Sequence, residues 1–451
     1  MTAARPSARA LRGTGDRAAR DHVAGGRVAT GFAAGVRRTP VVPSRAGAFD
    51  RERHAPDFSI LVAVAALAAT GILMVYSSSA MKALLQRDDA MAIVGPQILW
   101  AGVGLLVMLI VMRIDYRYLR LLSVPGYVVA LGLLALVFVP QFSRVVGGSA
   151  RWLAIGPLPA LHPAEFAKLA LVIYLAHWMA KRGTAIKGFW GGTVPFLLIA
   201  GAVAALVFKE PDLGTTVVIT STAFVMFYIA GARMRHFVLL GLGGLAVVLA
   251  VGLHDYQMER LQAWLNPWAD PLGKGFHTIQ GLLALGLGGV FGAGLGESRL
   301  AGGLFLPNAS NDYIFAIIGE EFGLVGAVMV IVLFLVLGYA GIRTAMRAPD
   351  TFGALLAAGI TAWLCIQAFI NIAVVVALIP VTGITLPFIS AGGSSLTISF
   401  AAVGVLLSIS RETNERGSWN DAPDDRGRGN GGTHLPGPRR RPVAQRPTRR
   451  A

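Results

Sequence analysis

The sequence predicts an all-α polytopic membrane protein: ten transmembrane helices with one large external loop between the seventh and the eighth. Three observations carry that expectation. Of 451 residues, 55% are hydrophobic and 14% charged, and the mean hydropathy is +0.62, far more apolar than a soluble globular chain. The apolar residues come in runs long enough to cross a hydrocarbon core, which takes about 20 residues of helix. The charge is pushed to the ends, where residues 1–57 and 411–451 are rich in Arg, lack apolar periodicity and read as disordered basic tails.

Taken in order, the apolar runs fall at 58–80, 94–112, 121–140, 163–180, 192–208, 212–231, 236–254, 312–340, 352–378 and 384–410. The Arg-rich start imitates a transit peptide, and Arg37-Arg38 imitates a twin-Arg signal. The first run is too long for a signal peptide and is followed by further runs, so it reads as the first span. The last three exceed the minimum length, which tilt or a partly extramembrane course would absorb. Without an internal repeat, an inverted-repeat transporter gains no support. Cys365, alone inside an apolar run, excludes an intramolecular disulfide and a multi-Cys metal site.

Short-loop charge sets the orientation. With a cytoplasmic N-terminus, Arg113, Arg117 and Arg120, then Lys181, Arg182 and Lys187, then Arg233 and Arg235, then Arg343 and Arg347 all lie inside, and ten spans return the basic C-terminus to the same side. The formal charge of +16 is then positive-inside topology and attraction to anionic lipid; no nucleic-acid-binding motif accompanies it. Arg144, Arg151, Arg260 and Arg299 fall in the outer loops among Gly, Pro and Trp. An anionic ligand is one explanation for cations placed there.

The outer loop at 255–311, about 57 residues, exceeds what a connection needs, and loops of that length are usually functional or disordered. Trp264, Trp268, Phe276, Phe291 and Phe305 argue against disorder. Phe276 to Leu287 has the pattern of a short amphipathic helix on the membrane surface, ended by GLGGVFGAGLG. That run is not a dinucleotide fingerprint, because Glu297 stands where the third Gly would be and no strand precedes it.

Charged groups within spans cost about 2.5–3.5 kcal/mol each at a helix centre, so each needs a reason. Glu165 and Lys168, three apart at the outer end of the fourth span, share a face and either pair or reach one ligand. Glu320 and Glu321 point in different directions, and helix packing competes with chemistry for each. Lys209, Glu210 and Asp212 lie at the junction of the fifth and sixth spans, where a solvated turn with Pro211 opening the helix is the plain alternative. Asp270, before Pro271 and Gly273 and flanked by Trp268 and Phe276, is the sharpest catalytic candidate, although an Asp at a helix N-cap with Pro next needs no function. Asp312 has the same ambiguity as a cap for the eighth span. The segment 379–395 breaks the helix between the ninth and tenth spans, and such backbone is buried in protein or lines a cavity. It faces the same side as the long loop, so the two are expected to share one external cleft.

The blocks SARWLAIGPLPALHPAEFAKLALVIYLA, EPDLGTT, ERLQAWLNPWADPLGKGFHTIQ, FLPNASNDYIFAIIGEEFGLVGA and QAFINIAVVVALIPVTGITLPFISAGGSS, in this order between about Asp57 and Arg411, resemble the SEDS family of shape, elongation, division and sporulation proteins. The NPWADPLG block and the basic, Pro-rich tails look more like its division branch, FtsW, than its elongation branch, RodA. The resemblance implies a ten-span fold, a bacterial plasma-membrane location with both termini cytoplasmic, and a peptidoglycan glycosyltransferase that polymerises lipid II. It also implies a class B penicillin-binding protein and other division-machinery proteins as partners, working at the septum. The essential Asp of the family's D-P-x-G turn falls on Asp270, and the resemblance gives functional weight to Arg151, Glu165, Lys168, Asp212 and Arg260. Lys274, in the same turn as Asp270, is placed with these substrate-binding residues. The chain departs from the family where Pro307 to Asp312 lacks a usual Glu and His, at His162 where Gln is usual, and at Ala391 where Tyr is common.

Lipid II is α-linked to its lipid pyrophosphate while the glycan is β-1,4, so the chemistry is one inverting displacement. A carboxylate base on the acceptor hydroxyl typically contributes 10²–10⁴-fold, roughly, and Asp270 is assigned that role. The departing pyrophosphate needs fixed cations, for which Arg151, Arg260 and Lys168 are suited. A divalent cation, Mg²⁺ or Mn²⁺, would do the same work, but no cluster in the sequence demands one. A lipid II flippase using Glu165, Lys168, Glu320 and Glu321 as its path, or a scaffold that recruits a synthase, are the competing readings; a flippase has no need for an aromatic-lined outward Asp turn.

Overall fold

The computed structural model describes residues 55–146, 149–154, 160–251, 255–303, 305–306 and 308–412. Most of both basic tails, and Pro307 in the stretch before the eighth predicted span, lie outside the described residues.

The chain is all-α apart from one small hairpin. Its first three helices are α1 (Phe58–Arg87), α2 (Val94–Arg113) and α3 (Leu119–Leu136). Asp57 starts α1 by accepting the Ser59 N–H at 3.0 Å. The antiparallel strands β1 (Ser143–Val146) and β2 (Ser149–Leu153) follow. Then come α4 (Pro163–Arg182), α5 (Val194–Lys209), α6 (Leu213–Ile229) and α7 (Met234–Val251). The long loop holds α8 (Asp255–Leu265), α9 (Phe276–Gly288) and the single turn α10 (Arg299–Gly302). The chain closes with α11 (Ile314–Arg347), α12 (Thr351–Val375) and α13 (Gly393–Ser410).

Every predicted apolar run contains a helix. Among the described residues seven helical stretches are long and apolar enough to cross a membrane: α1, α2, α3, α5, α11, α12 and α13. Helix α4 has the length but carries Glu165, Lys168, Lys181 and Arg182, and α6 is apolar over 17 residues. Burial orders them from inside out. In their most apolar stretches α13 is 72% and α12 67% buried, against 28% for α2 and 17% for α3, so α12 and α13 run through the centre and α3 shows most of its surface outward. The outward side chains, such as Leu121, Leu122 and Val128, suit a lipid solvent.

At the end carrying the basic short loops, ion pairs tie helices together. Arg343 pairs with Asp57, whose N–H donates to Ser410 Oγ at 3.2 Å, and Arg120 pairs with Asp350, which also accepts from the Tyr116 hydroxyl at 2.7 Å.

Three differences from the sequence expectation have physical causes. The tenth run, 384–410, is helical only from Gly393, because Pro387 and the Gly392-Gly393 pair interrupt it and leave 376–392 irregular. The hairpin β1–β2 was not foreseen; its strands are four and five residues long, below what periodicity detects. The third concerns the Gly-rich run after α9. Helix α11 breaks at Gly323, at φ 64° and ψ −161°, a conformation that excludes residues with a Cβ. The run bonds along the break: Leu324 N–H donates to Gly289 O at 2.9 Å and Val325 N–H to Val290 O at 3.2 Å, while Ala293 and Gly294 N–H donate to Glu320 O and Glu321 O at 2.9 and 3.0 Å. It is a strap that satisfies the interrupted ladder. Helix α9, expected on the membrane surface, buries Thr278, Gly281, Ala284 and Gly288 against α11 and leaves Leu282, Leu283 and Leu287 exposed.

The strap also accounts for the adjacent acids. Glu320 accepts from Ser298 Oγ at 2.6 Å and from the Arg299 N–H at 2.8 Å, closing the start of α10. Glu321 turns the other way and takes the Ser77 hydroxyl of α1. Packing is the role the structure supports for both.

Candidate functional site

Helix α4 opens with Pro163 at its first position, which fixes the direction of its first two turns and puts Glu165 and Lys168 on one face. Both are buried, at 7% and 3% exposure, and they pair: Lys168 Nζ is 2.9 Å from Glu165 Oε2. The ammonium also donates to Gln367 Oε1 at 2.6 Å and lies 5.1 Å from the Trp363 ring centroid. Trp363 Nε1–H donates to the same Gln367 oxygen at 2.9 Å, Gln367 Nε2 donates to Thr385 O at 3.0 Å, and Ser395 Oγ donates to Glu165 Oε2 at 3.1 Å. The pair is thus held by Gln367 of α12 and Ser395 of α13, and Gln367 is in turn anchored to Thr385 of the irregular segment. Gln367, Trp363 and Ser395 were not singled out from sequence. Gln367 and Asn371, four apart in an otherwise apolar helix, were the available signal.

The turn between α5 and α6 packs beside this pair. It was expected as a solvated turn in one reading, but Glu210 is 1% and Asp212 5% exposed. Pro211 does not open the helix; Asp212 does, accepting the Thr215 N–H at 3.0 Å and the Thr215 hydroxyl at 2.8 Å. Arg151, from β2, donates through Nε to Glu210 O at 3.1 Å and through Nη2 to Pro211 O. His162 Nε2 lies 3.7 Å from Asp212 Oδ2, its ring edge-on to Trp152, and burial holds its pKa below the ordinary value. Arg151, His162, Glu165, Lys168 and Asp212 therefore form one polar cluster where the hairpin, α4 and α6 meet.

The long loop also reaches the irregular segment. Arg260 Nη1 donates to Val381 O at 2.7 Å, and Trp264 Nε1–H donates to Ala377 O at 2.8 Å, docking α8. Asn371 Nδ2 donates to Asp312 O and to Ile384 O, both at 2.7 Å, tying the start of α11 to the same segment. Asp312 is not the expected cap: Tyr313 occupies the N-cap position with no side-chain capping bond, and Asp312 Oδ1 meets no hydrogen-bond partner among the described residues. Burial pushes its carboxyl up to about 6, against a downward pull from Arg260.

Asp270 lies in the exposed turn between α8 and α9. Its oxygens accept from the N–H groups of Gly273 and Lys274, both at 3.0 Å, and its carbonyl takes the Gly275 N–H at 3.0 Å. It organises this turn and is not the N-cap of α9, which is Gly275. Lys274 Nζ donates to Glu259 Oε1 at 2.9 Å, linking the turn back to α8. Trp268 and Leu272, on either side of the carboxylate, are 70% and 89% exposed. Among the described residues no three His, Cys, Asp or Glu side chains come together as a metal-ligand set.

The structure thus brings together Arg151, Glu165, Lys168 and Asp212, and separately joins Asp270 to Lys274. Arg260 is bonded to the segment 376–392, which also takes the amide of Gln367, the residue that bonds Lys168.

Comparison with known proteins agrees over this whole region. The family model for FtsW, RodA and SpoVE cell cycle proteins matches residues 58–415. Stage V sporulation protein E of Bacillus subtilis is 44% identical over 361 residues, covering 80% of this chain and 98% of its own. The probable peptidoglycan glycosyltransferase FtsW of Geobacter sulfurreducens is 39% identical over 355 residues, covering 78% of this chain and 95% of its own. Among solved structures, a chain of a peptidoglycan synthase complex coordinating polymerization and crosslinking superimposes with a TM-score of 0.66 at 31% identity, over 79% of this chain and 98% of that one. The rod shape determining protein RodA of Thermus thermophilus gives 0.59 at 29% identity, over 80% of this chain and 98% of its own. With its matched blocks, its helical bundle and its strapped loop, the chain belongs to the FtsW/RodA/SpoVE family, the SEDS proteins.

Proposed function

We propose that this protein is a multi-pass membrane peptidoglycan glycosyltransferase that polymerises lipid II during cell division, with Asp270 as general base. The observation that carries the reading is the Asp270 turn. Its carboxylate is exposed to an incoming substrate yet fixed by two backbone N–H groups, on a loop that Arg260 and Trp264 dock onto the segment 376–392, whose Thr385 carbonyl takes the Gln367 amide that bonds Lys168. An exposed carboxylate held in a fixed orientation is what a general base for an inverting displacement needs.

The acceptor 4-hydroxyl attacks the anomeric carbon. Its proton goes to Asp270, the new β-1,4 bond forms as the α bond to the lipid diphosphate breaks, and the electron pair leaves with the diphosphate. Arg151, Lys168 and Arg260 offset the charge that builds there, and Lys274 orients substrate at the turn. Asp212 and Glu165 hold the cluster in register through Thr215 and Ser395. Trp268 and Leu272 present apolar surface suited to the lipid interface. The loop faces outward, both basic termini are cytoplasmic, and a class B penicillin-binding protein crosslinks the product. The NPWADPLG block and the basic tails favour the septum over the side wall.

The test is elongation of labelled lipid II by the purified protein with its penicillin-binding partner in detergent, where no flipping is needed. Glycan chains are expected, and Asp270→Ala should abolish them without loss of expression or partner binding. Absence of chains from the wild-type complex would refute the reading, and full activity in Asp270→Ala would move the base elsewhere. A fluorescent fusion at midcell is the outcome expected for the division role; a sidewall signal would assign the protein to elongation.

A further inference from the structure

Two short loops at the basic end, 183–193 between α4 and α5 and 230–233 between α6 and α7, are joined into one surface that the function above does not use. His236, buried at the start of α7, lies 2.8 Å through Nδ1 from Thr193 Oγ1, and its ring meets the edge of Phe189 with 6.1 Å between centroids. The first loop turns back tightly under this contact, where Gly192 leaves no room for a Cβ against Ile186 O. Lys187 reaches across to the second loop: a Cβ on Gly231 would lie 4.0 Å from Lys187 Cε, two residues before Arg233. Lys187, Arg233 and Arg235 are exposed, and none of them has an ion-pair partner among the described residues. At the same end Arg120 and Arg343 are paired, with Asp350 and Asp57. Residues 181–193 and 230–236 contain no Asp or Glu that could do the same for these three.

Charge alone does not choose the partner; the apolar neighbours do. Trp190 is 80% exposed at the start of the span-length stretch Phe189–Lys209, the level at which Trp sits at a membrane–water interface. On α7, Met234, Val238 and Leu242 follow at four-residue spacing, so they share one face, and all three are exposed. An acidic peptide would use the cations and leave that stripe bare. We propose that this surface binds an anionic phospholipid of the adjacent leaflet, its phosphate held by Lys187, Arg233 and Arg235 and one acyl chain laid along Met234, Val238 and Leu242. The long Lys and Arg side chains can keep their charges at headgroup level while their stems lie on apolar surface. A zwitterionic lipid brings its own cation and gains less from the three. The site is separate from the Asp270 turn and does not depend on the glycosyltransferase reading.

The experiment is native mass spectrometry of the purified full-length protein in detergent, titrated with dioleoyl phosphatidylglycerol or dioleoyl phosphatidylcholine and read at the tightest-bound lipid. Phosphatidylglycerol should bind at least about tenfold tighter than phosphatidylcholine. Replacing Arg233→Gln and Arg235→Gln together should weaken phosphatidylglycerol at least about fivefold and leave phosphatidylcholine unchanged. Arg113→Gln with Arg347→Gln removes two other exposed cations from the same end and should leave both affinities within about twofold of wild type. Met234→Asn with Val238→Asn should weaken both lipids. Every substituted side chain is exposed, so these variants keep the fold. Equal losses in the two Arg pairs would reduce the effect to net charge and overturn the proposal, as would equal affinity for the two lipids. Displacement of the lipid by glycerol phosphate would mark a free-phosphate site, and displacement by polyglutamate a surface for an acidic protein; either result would overturn it too.

Discussion

Gly273 is pressed against Asp270: a Cβ on Gly273 would lie 2.3 Å from Asp270 Oδ2 and 2.7 Å from Oδ1. The contact exists because the carboxylate folds back over the turn to accept the Gly273 and Lys274 N–H groups. A methyl group there would expel the carboxylate from both bonds. Since the turn is exposed, the fold has little stake in it. Gly273→Ala should therefore cut lipid II polymerisation at least about tenfold, the loss expected when a general base is misplaced, while the melting temperature stays near wild type. Activity assays beside thermal unfolding check both halves. Unchanged activity would mean that the carboxylate's orientation does not matter to the reaction.

The Glu165–Lys168 pair makes a contrasting prediction. Both partners are buried, and removing one strands the other's charge, typically at about 3–5 kcal/mol. Lys168→Met should lower the melting temperature by several degrees and abolish polymerisation. Adding Glu165→Gln removes the stranded carboxylate and should restore most of the stability but none of the activity. A double variant that recovers both would reduce the pair to a structural ion pair.

Gly288 tests the strap. A Cβ there would sit 1.8 Å from Gly319 O, backbone against side chain with no rotamer to relieve it. Gly288→Ala should push α9 off α11 and break the bonds along Gly323, costing about 1–3 kcal/mol or more. Reduced yield of monodisperse protein and faster proteolysis within 289–303 are the expected signs. A fully stable variant would show that strap and helix separate freely.

How far the sequence carried follows from which features are local. Apolar runs and the Glu165–Lys168 spacing are properties of single segments, so the helices and that pair were legible directly. The Asp270 turn was legible as a turn, from Pro271 and Gly273. What escaped depends on pairing across the chain. The glycines at 289–294 could be read as a helix stop, but their partner is a break more than two dozen residues later, at Gly323. Glu210 and Asp212 read equally well as a solvated turn until β2 and α4 covered them. Asp312 looked like a cap because Asp commonly precedes helices; Arg260 and the segment behind Asn371 bury it instead.

Asp312 and Arg260 carry the last prediction, on pH. The folded carboxyl titrates at about 6, raised from 3.8 by burial, so the folded state binds this proton more tightly than the unfolded chain. Its contribution to stability is full below about pH 3.8 and is lost as pH rises through about 6. Above that the carboxylate is charged and buried, and Arg260 is the cation that offsets it. Burial, and after it Arg260, holds the pKa of His277, on α9, low. Arg260→Gln should thus destabilise little at pH 5, where Asp312 is mostly neutral and His277 gains a proton more easily. It should destabilise much more at pH 7.5, where the charge is left uncompensated. The comparison is the difference in melting temperature between variant and wild type at the two pH values, and adding Asp312→Asn should erase it. An equal loss at both pH values would mean that Arg260 acts through its bond to Val381 alone and that the loop is docked without help from Asp312.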